Sequence, residues 1–115
     1  MTTEIYQGPA IMVGYAYKLR LEAEGALFPQ GAVFVGQVRA KVVADQVLIT
    51  LSTEAGSFVR ISDQELDLTI TATETAALSV GSVVVDVVRT DLDPDLHLGF
   101  ALEIPVMLPV TRGLS

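Results

Sequence analysis

Three aspartates at alternate positions, Asp91, Asp93 and Asp95, with the single histidine, His97, close behind, form the densest set of reactive side chains in this sequence. Alternate carboxylates can supply oxygen ligands to calcium, but an EF-hand loop opening at Asp91 needs glycine at its sixth position and glutamate at its twelfth. Leu96 and Leu102 stand there instead. The run therefore reads as a solvated turn in which Pro94 fixes φ. His97 has no serine or cysteine at a spacing that suggests a nucleophile and its base. The absence of cysteine removes thiolate catalysis, disulfides and most structural zinc sites, and leaves the redox compartment open. No nucleophile elbow, phosphate-cradling glycine loop or metal-ligand spacing appears. The expectation is a protein that is not an enzyme, with no catalytic, cofactor-binding or metal-binding residue and no cofactor. The enzymatic alternative is a small hydrolase whose activity would die with His97→Ala.

Two charged residues sit inside otherwise apolar runs, Arg39 in FVGQVRA and Asp86 in VVVDVV. One reading pairs them as a structural ion pair that fixes strand register. A buried pair of this kind adds little net stability but costs roughly 3–5 kcal/mol to break on one side. The other reading points each to solvent, as alternation permits.

The elements that would position these residues are strands. From Leu96 to Val110 the even positions are apolar without interruption, including Phe100, Leu102, Ile104 and Val106. A period of two sends successive side chains to opposite faces, so one face of this stretch is buried. The β-branched run over 82–90 precedes it, and the Asp/Pro-rich link between them makes a hairpin. Pro105 and Pro109 share the opposite parity. Proline cannot donate to a ladder, so the closing strand is expected at an edge or paired on one side only. Met107 between the two prolines, together with Ile5 and Tyr6 in the N-terminal arm, then becomes a candidate contact with a neighbouring subunit.

Upstream, residues 11–23 alternate from Ile11 through Tyr15 and Tyr17 to Leu21, which predicts one long strand. Further strands are expected over 32–43, 47–52, 58–61 and 65–71, with a tight hairpin at Asp45-Gln46. Residues 71–80 break the pattern: Thr71 and Glu74 stand at capping-box spacing and Gly81 follows as a stop, so a short helix is expected there, crossing the end of a sandwich. Residues 1–9 read as an arm, 10–112 as one domain and 113–115 as a tail. Seven to eight strands with one short helix predict an all-β, immunoglobulin-like antiparallel β-sandwich, with a small β-barrel as the alternative. Neither a cysteine pair nor a tryptophan marks an antibody-type core.

Half of the 115 residues are hydrophobic but only 6% are aromatic, and 18% are charged, below the roughly 25% of ordinary soluble domains. So little polar surface favours burial in an oligomer or assembly. A net charge of −7 with scattered basic residues argues against nucleic-acid binding, which needs a basic footprint. The apolar runs are strand-length and interrupted, so no membrane-spanning helix is expected. Glu4 stands where a signal peptide would carry basic residues, so none is read.

The order of several short motifs carries a resemblance. GQVR (36–39), VLITL (47–51), TATETAAL (71–78), Gly81, the Val85-Asp86-Val87 triplet, LHLG (96–99) and VTR (110–112) follow one another much as in small tailed-phage virion proteins. In this it resembles the N-terminal β-sandwich domain of phage baseplate upper proteins, over roughly residues 8–112. The chain departs from that group in its opening GPAIMVGY and in lacking a long C-terminal extension. The resemblance implies a structural virion part without activity of its own, assembled in the host cytoplasm. Its partners would be further copies in a homo-oligomer and other virion proteins of the tail, baseplate or capsid. The alternative within this class is a capsid decoration (cement) protein bridging capsomers. The rival class is a carbohydrate- or ligand-binding sandwich, which needs an exposed aromatic platform, whereas Tyr15, Tyr17, Phe34 and Phe100 are assigned to core faces.

Overall fold

In the computed structural model, which describes residues 4–113, the alternating run over 11–23 is divided between two sheets. β1 (Glu4–Gln7) and β2 (Ile11–Met12) lie in one sheet and β3 (Tyr17–Glu22) in the other. The chain turns between β2 and β3 at Gly14, which takes φ +86°, a region open to glycine at no steric cost. Alternation survives the crossing because both sheets face one core: Ile11 and Tyr17 are each buried. Tyr15, assigned to the core by parity, lies on the turn, is 39% exposed and donates its hydroxyl to the Thr111 carbonyl at 2.6 Å.

The remaining elements are β4 (Phe34–Arg39), β5 (Ile49–Ser52), β6 (Phe58–Ser62), β7 (Glu65–Ile70), α1 (Ala72–Ala76), β8 (Gly81–Arg89) and β9 (Leu96–Met107). One sheet has the order β1-β9-β8-β4-β5 with β2 also on β9, and the other has the order β3-β7-β6. The chain is thus an all-β two-sheet sandwich and not a closed barrel. β3, β7 and β6 take the places of strands B, E and D of an immunoglobulin sandwich, β4, β8 and β9 those of C, F and G, and β5 that of the added C′. The pairing is antiparallel except for β1 and β2, which run parallel to β9.

That parallel pairing corrects the expectation for the closing strand. β9 is interior, with β8 on one side and β1 and β2 on the other. The Gly8 and Val13 amides donate to the Glu103 and Met107 carbonyls, both at 3.0 Å, so odd-numbered residues of β9 direct their main chain toward β1 and β2. Pro105 has that parity and falls between Glu103, the last partner of β1, and Val106, the first partner of β2. Its missing N–H faces the gap where the chain passes through Gly8-Pro9-Ala10. An interior proline is tolerated because its neighbour is interrupted at the same point.

The connection over 40–48 is longer than the predicted tight hairpin, since β4 ends at Arg39 and β5 starts at Ile49. The predicted helix is present. Thr71 caps it and Glu74 returns the bond in a complete capping box. α1 carries the chain from one sheet to the other as expected, but Gly81 opens β8, and the helix ends at Ala77. The arm proves to be partly structural through β1; residues 1–3 of it, and residues 114–115 of the predicted tail, lie outside the described residues.

The core is centred on three phenylalanines in edge-to-face contact, Phe28–Phe34 at 5.7 Å and Phe34–Phe58 at 6.4 Å between ring centroids. Such pairs contribute about 0.5–1.5 kcal/mol beyond area burial. Tyr17 seals the edge of this core, its hydroxyl donating to the Pro9 carbonyl at 2.8 Å. Burial pushes its phenol up to about 12. The neutral form is the folded form, so this contribution to stability is whole below pH 10 and lost as pH rises toward about 12. In an alkaline absorbance titration, Tyr17→Phe is expected to delete the latest phenolate step and to lower stability by about 1 kcal/mol through the bond to Pro9.

Candidate interaction surface

The outer face of the six-stranded sheet holds both residues of the predicted ion pair, and the structure does not join them. Arg39 stands opposite Val84 on β8. Its guanidinium turns to its own connection, Nη1 donating to the Ala44 and Asp45 carbonyls, each at 2.8 Å, and Nη2 to Gln37 Oε1 at 2.6 Å. The 40–48 loop supplies the Ala44 and Asp45 acceptors. Asp86 instead accepts from His97, with Nε2 to Oδ2 at 2.8 Å. Arg39 and Asp86 line one shallow recess with Gln37 and His97.

His97 owes its position to an irregularity in β9. Asp86 pairs with Ala101 but Val88 pairs with His97, so two extra residues bulge out of β9 around Gly99, which takes φ +87°. The Gly99 amide donates to His97 Nδ1 at 2.9 Å. Nδ1 therefore carries the lone pair, and the proton sits on Nε2 facing Asp86. Both ring nitrogens are engaged within the chain.

The three alternate aspartates separate on folding. Asp91 accepts from the Val33 amide at 3.1 Å and from Arg89 through Nε at 3.2 Å and Nη2 at 2.7 Å. Asp93 and Asp95 are exposed, and no group of three or more potential metal ligands forms among the described residues. The Arg89 guanidinium, then the Val33 amide, hold the Asp91 carboxyl down to about 2. A depressed carboxyl contributes stability that is present above its unfolded value near 3.8 and lost as pH falls toward about 2. Urea melts between pH 5 and pH 2, conditions chosen for the measurement around that window, are expected to show a steeper acid loss in the wild type than in Asp91→Asn.

Two further features present apolar side chains at the surface. The first is a groove of about 760 Å³ along the open side of the sandwich, between β1 and β9 of one sheet and β3 of the other. Leu19, Leu27, Leu98 and Phe100 lie along it, Tyr6 stands at its side, and Glu4, Glu22 and Glu24 mark its rim. Among the described residues β3 pairs only with β7. In a four-stranded ABED sheet, strand A would occupy the free edge. Lys18 and Arg20 near this edge are held by Asp67, Arg20 by a two-point bond at 2.8 and 3.2 Å. The Arg20 guanidinium holds the Asp67 carboxyl below its usual value.

The second is the segment after β9. Leu108 is 54% and Val110 95% exposed, and both share the parity that was apolar throughout β9. Arg112 follows, its Nη1 donating to the Pro109 carbonyl at 2.7 Å. Of the predicted contact residues, Ile5 is 61%, Tyr6 51% and Met107 49% exposed, Pro105 is exposed, and Pro109 lies beyond the strand, half-buried. Strand parity puts Ile5, Pro105 and Met107 on the outer face and Tyr6 toward the groove. Sequence reasoning missed Thr75, which is fully buried in α1 and bonds the turn at Gly14; the threonine repeated within TATETAAL was its only signal.

No protein-family model matches this chain, and no curated protein matches it. No helix among the described residues is long and apolar enough to cross a membrane.

Proposed function

We propose that this chain is a non-enzymatic structural component of a tailed-phage or phage-like particle, held in place by protein–protein contacts. The observation that carries the reading is its exposed apolar surface. Sixteen large hydrophobic side chains are more than a third exposed among the described residues, Val43 at 86% and Val110 at 95% among them, in a chain with only 18% charged residues. Soluble monomers tolerate scattered apolar residues, but clusters on strand edges and protruding segments mark contact surfaces. The ordered motifs from GQVR to VTR give this assembly its virion character. The engagement of His97 on both sides, with Asp86 and Gly99, supports a structural role for the groups most suited to chemistry.

The test is co-sedimentation. An antibody raised against the purified protein should detect it in density-gradient fractions of intact particles from the strain that encodes it, and separated tails and capsids should then show which one carries it. Recovery only from the particle-free supernatant, with major particle proteins in the pellet, overturns the reading.

A further inference from the structure

We infer that the groove beside β3 is a strand-acceptor site and that its occupant is residues 108–113 of a second copy of this chain. This inference rests on the assembly reading and names the contact by which copies join. Three observations carry it. The free edge of β3 borders an apolar groove where an ABED sheet has its fourth strand. An added strand satisfies the unpaired main-chain groups of such an edge and seats alternate side chains in the pockets beside it.

The second observation is the occupant's pattern. Leu108 and Val110 are apolar at alternate positions and exposed, and Pro109 between them suits a strand paired on one side. The third is charge. Among the described residues Arg112 makes no salt bridge to a carboxylate, and Glu22 and Glu24 on the groove rim make none to a cation. Opposite charges on rim and strand fix direction and register.

The chain's own segment is badly placed to fill its own groove. Met107 lies five residues past Leu102, the last groove residue of β9, roughly 17 Å further along at strand rise. The segment would have to reverse and run back while Tyr15 holds the Thr111 carbonyl. The contact is therefore between copies and head-to-tail, an arrangement that closes into a ring where the rotation permits and otherwise extends as a filament.

Sedimentation velocity on the full chain tests this. The wild type should grow beyond the 12.2 kDa single-chain mass as concentration rises to about 200 μM, enough to populate a micromolar contact. Val110→Asp, at a position 95% exposed and so harmless to folding, should return it to the single-chain mass. A fluorescent peptide of residues 107–113 should bind the Val110→Asp protein, whose groove is intact, and bind roughly tenfold or more weakly when Glu22→Lys and Glu24→Lys are added. A wild type that stays at the single-chain mass, or a peptide that does not bind, overturns the proposal. So does a wild-type oligomer indifferent to Val110→Asp, and in that case the assembly reading stands with its contact elsewhere. Co-sedimentation with particles is scored separately from all of these.

Discussion

Gly36→Ala is expected to lower stability by at least about 2–3 kcal/mol, the upper range of overpacking in a filled core. A Cβ at Gly36 would lie 2.5 Å from the Asp86 carbonyl oxygen and 3.2 Å from Phe58 Cζ. The phenyl ring can shift, but the carbonyl belongs to β8, the central neighbour of β4, and it can withdraw only by parting the two strands. Phe58 is one of the three rings at the core centre, so the strain passes to both sheets. For a domain of this size the loss corresponds to a fall in Tm of about 10 °C or more. Gly25→Ala is the control: nothing lies within 4 Å of a Cβ there, and a surface change of that kind stays within about 0.5 kcal/mol. Thermal and urea melts of the two variants decide the point. A Gly36→Ala protein that melts with the wild type would mean that β4 and β8 are less closely apposed than described.

The second large effect is expected at Thr75. Its Oγ1 accepts from the Gly14 amide at 3.1 Å and donates to the Tyr15 carbonyl at 2.8 Å. One buried hydroxyl thus ties α1 to the turn that passes the chain from β2 to β3. Thr75→Val keeps the volume and removes both bonds, along with the hydroxyl's contact to the Ala72 carbonyl at 3.1 Å, at a cost of about 1–3 kcal/mol. Thr75→Ser keeps the oxygen and should lose much less. Hydrogen exchange at the Gly14 amide separates a local from a general effect: it should accelerate in Thr75→Val beyond the change in global stability and stay slow in Thr75→Ser.

The features legible in the sequence were those set by neighbours along the chain. The capping box at Thr71 and Glu74 needs only a three-residue spacing, and the buried parity of Leu102, Ile104 and Val106 needs only alternation. What alternation does not encode is the sheet to which a strand belongs. Ile11 and Tyr17 point into one core from opposite sheets, so a two-residue strand, a turn and a second strand read as one run. Pro105 misled for a related reason: proline signals a missing donor, which an edge provides, but so does an interrupted partner in mid-sheet. Arg39 and Asp86 depended on cross-strand register and on the loop carbonyls of Ala44 and Asp45, neither of which is written locally. The groove beside β3 is an edge with no strand on it among the described residues, and no residue type announces it.

The parallel docking of β1 and β2 on β9 sets an order of events in time. Glu4 pairs with Phe100 and Ile11 with Val106, so β1 and β2 have no ladder partner until β9 has been made. At translation rates of about 5–20 residues per second, they wait some seconds. Contacts this distant in sequence also slow folding, toward the millisecond-to-second range of β-sandwiches. The emerging chain therefore carries Ile11, fully buried in the finished sandwich, without its strand partner until β9 has been made.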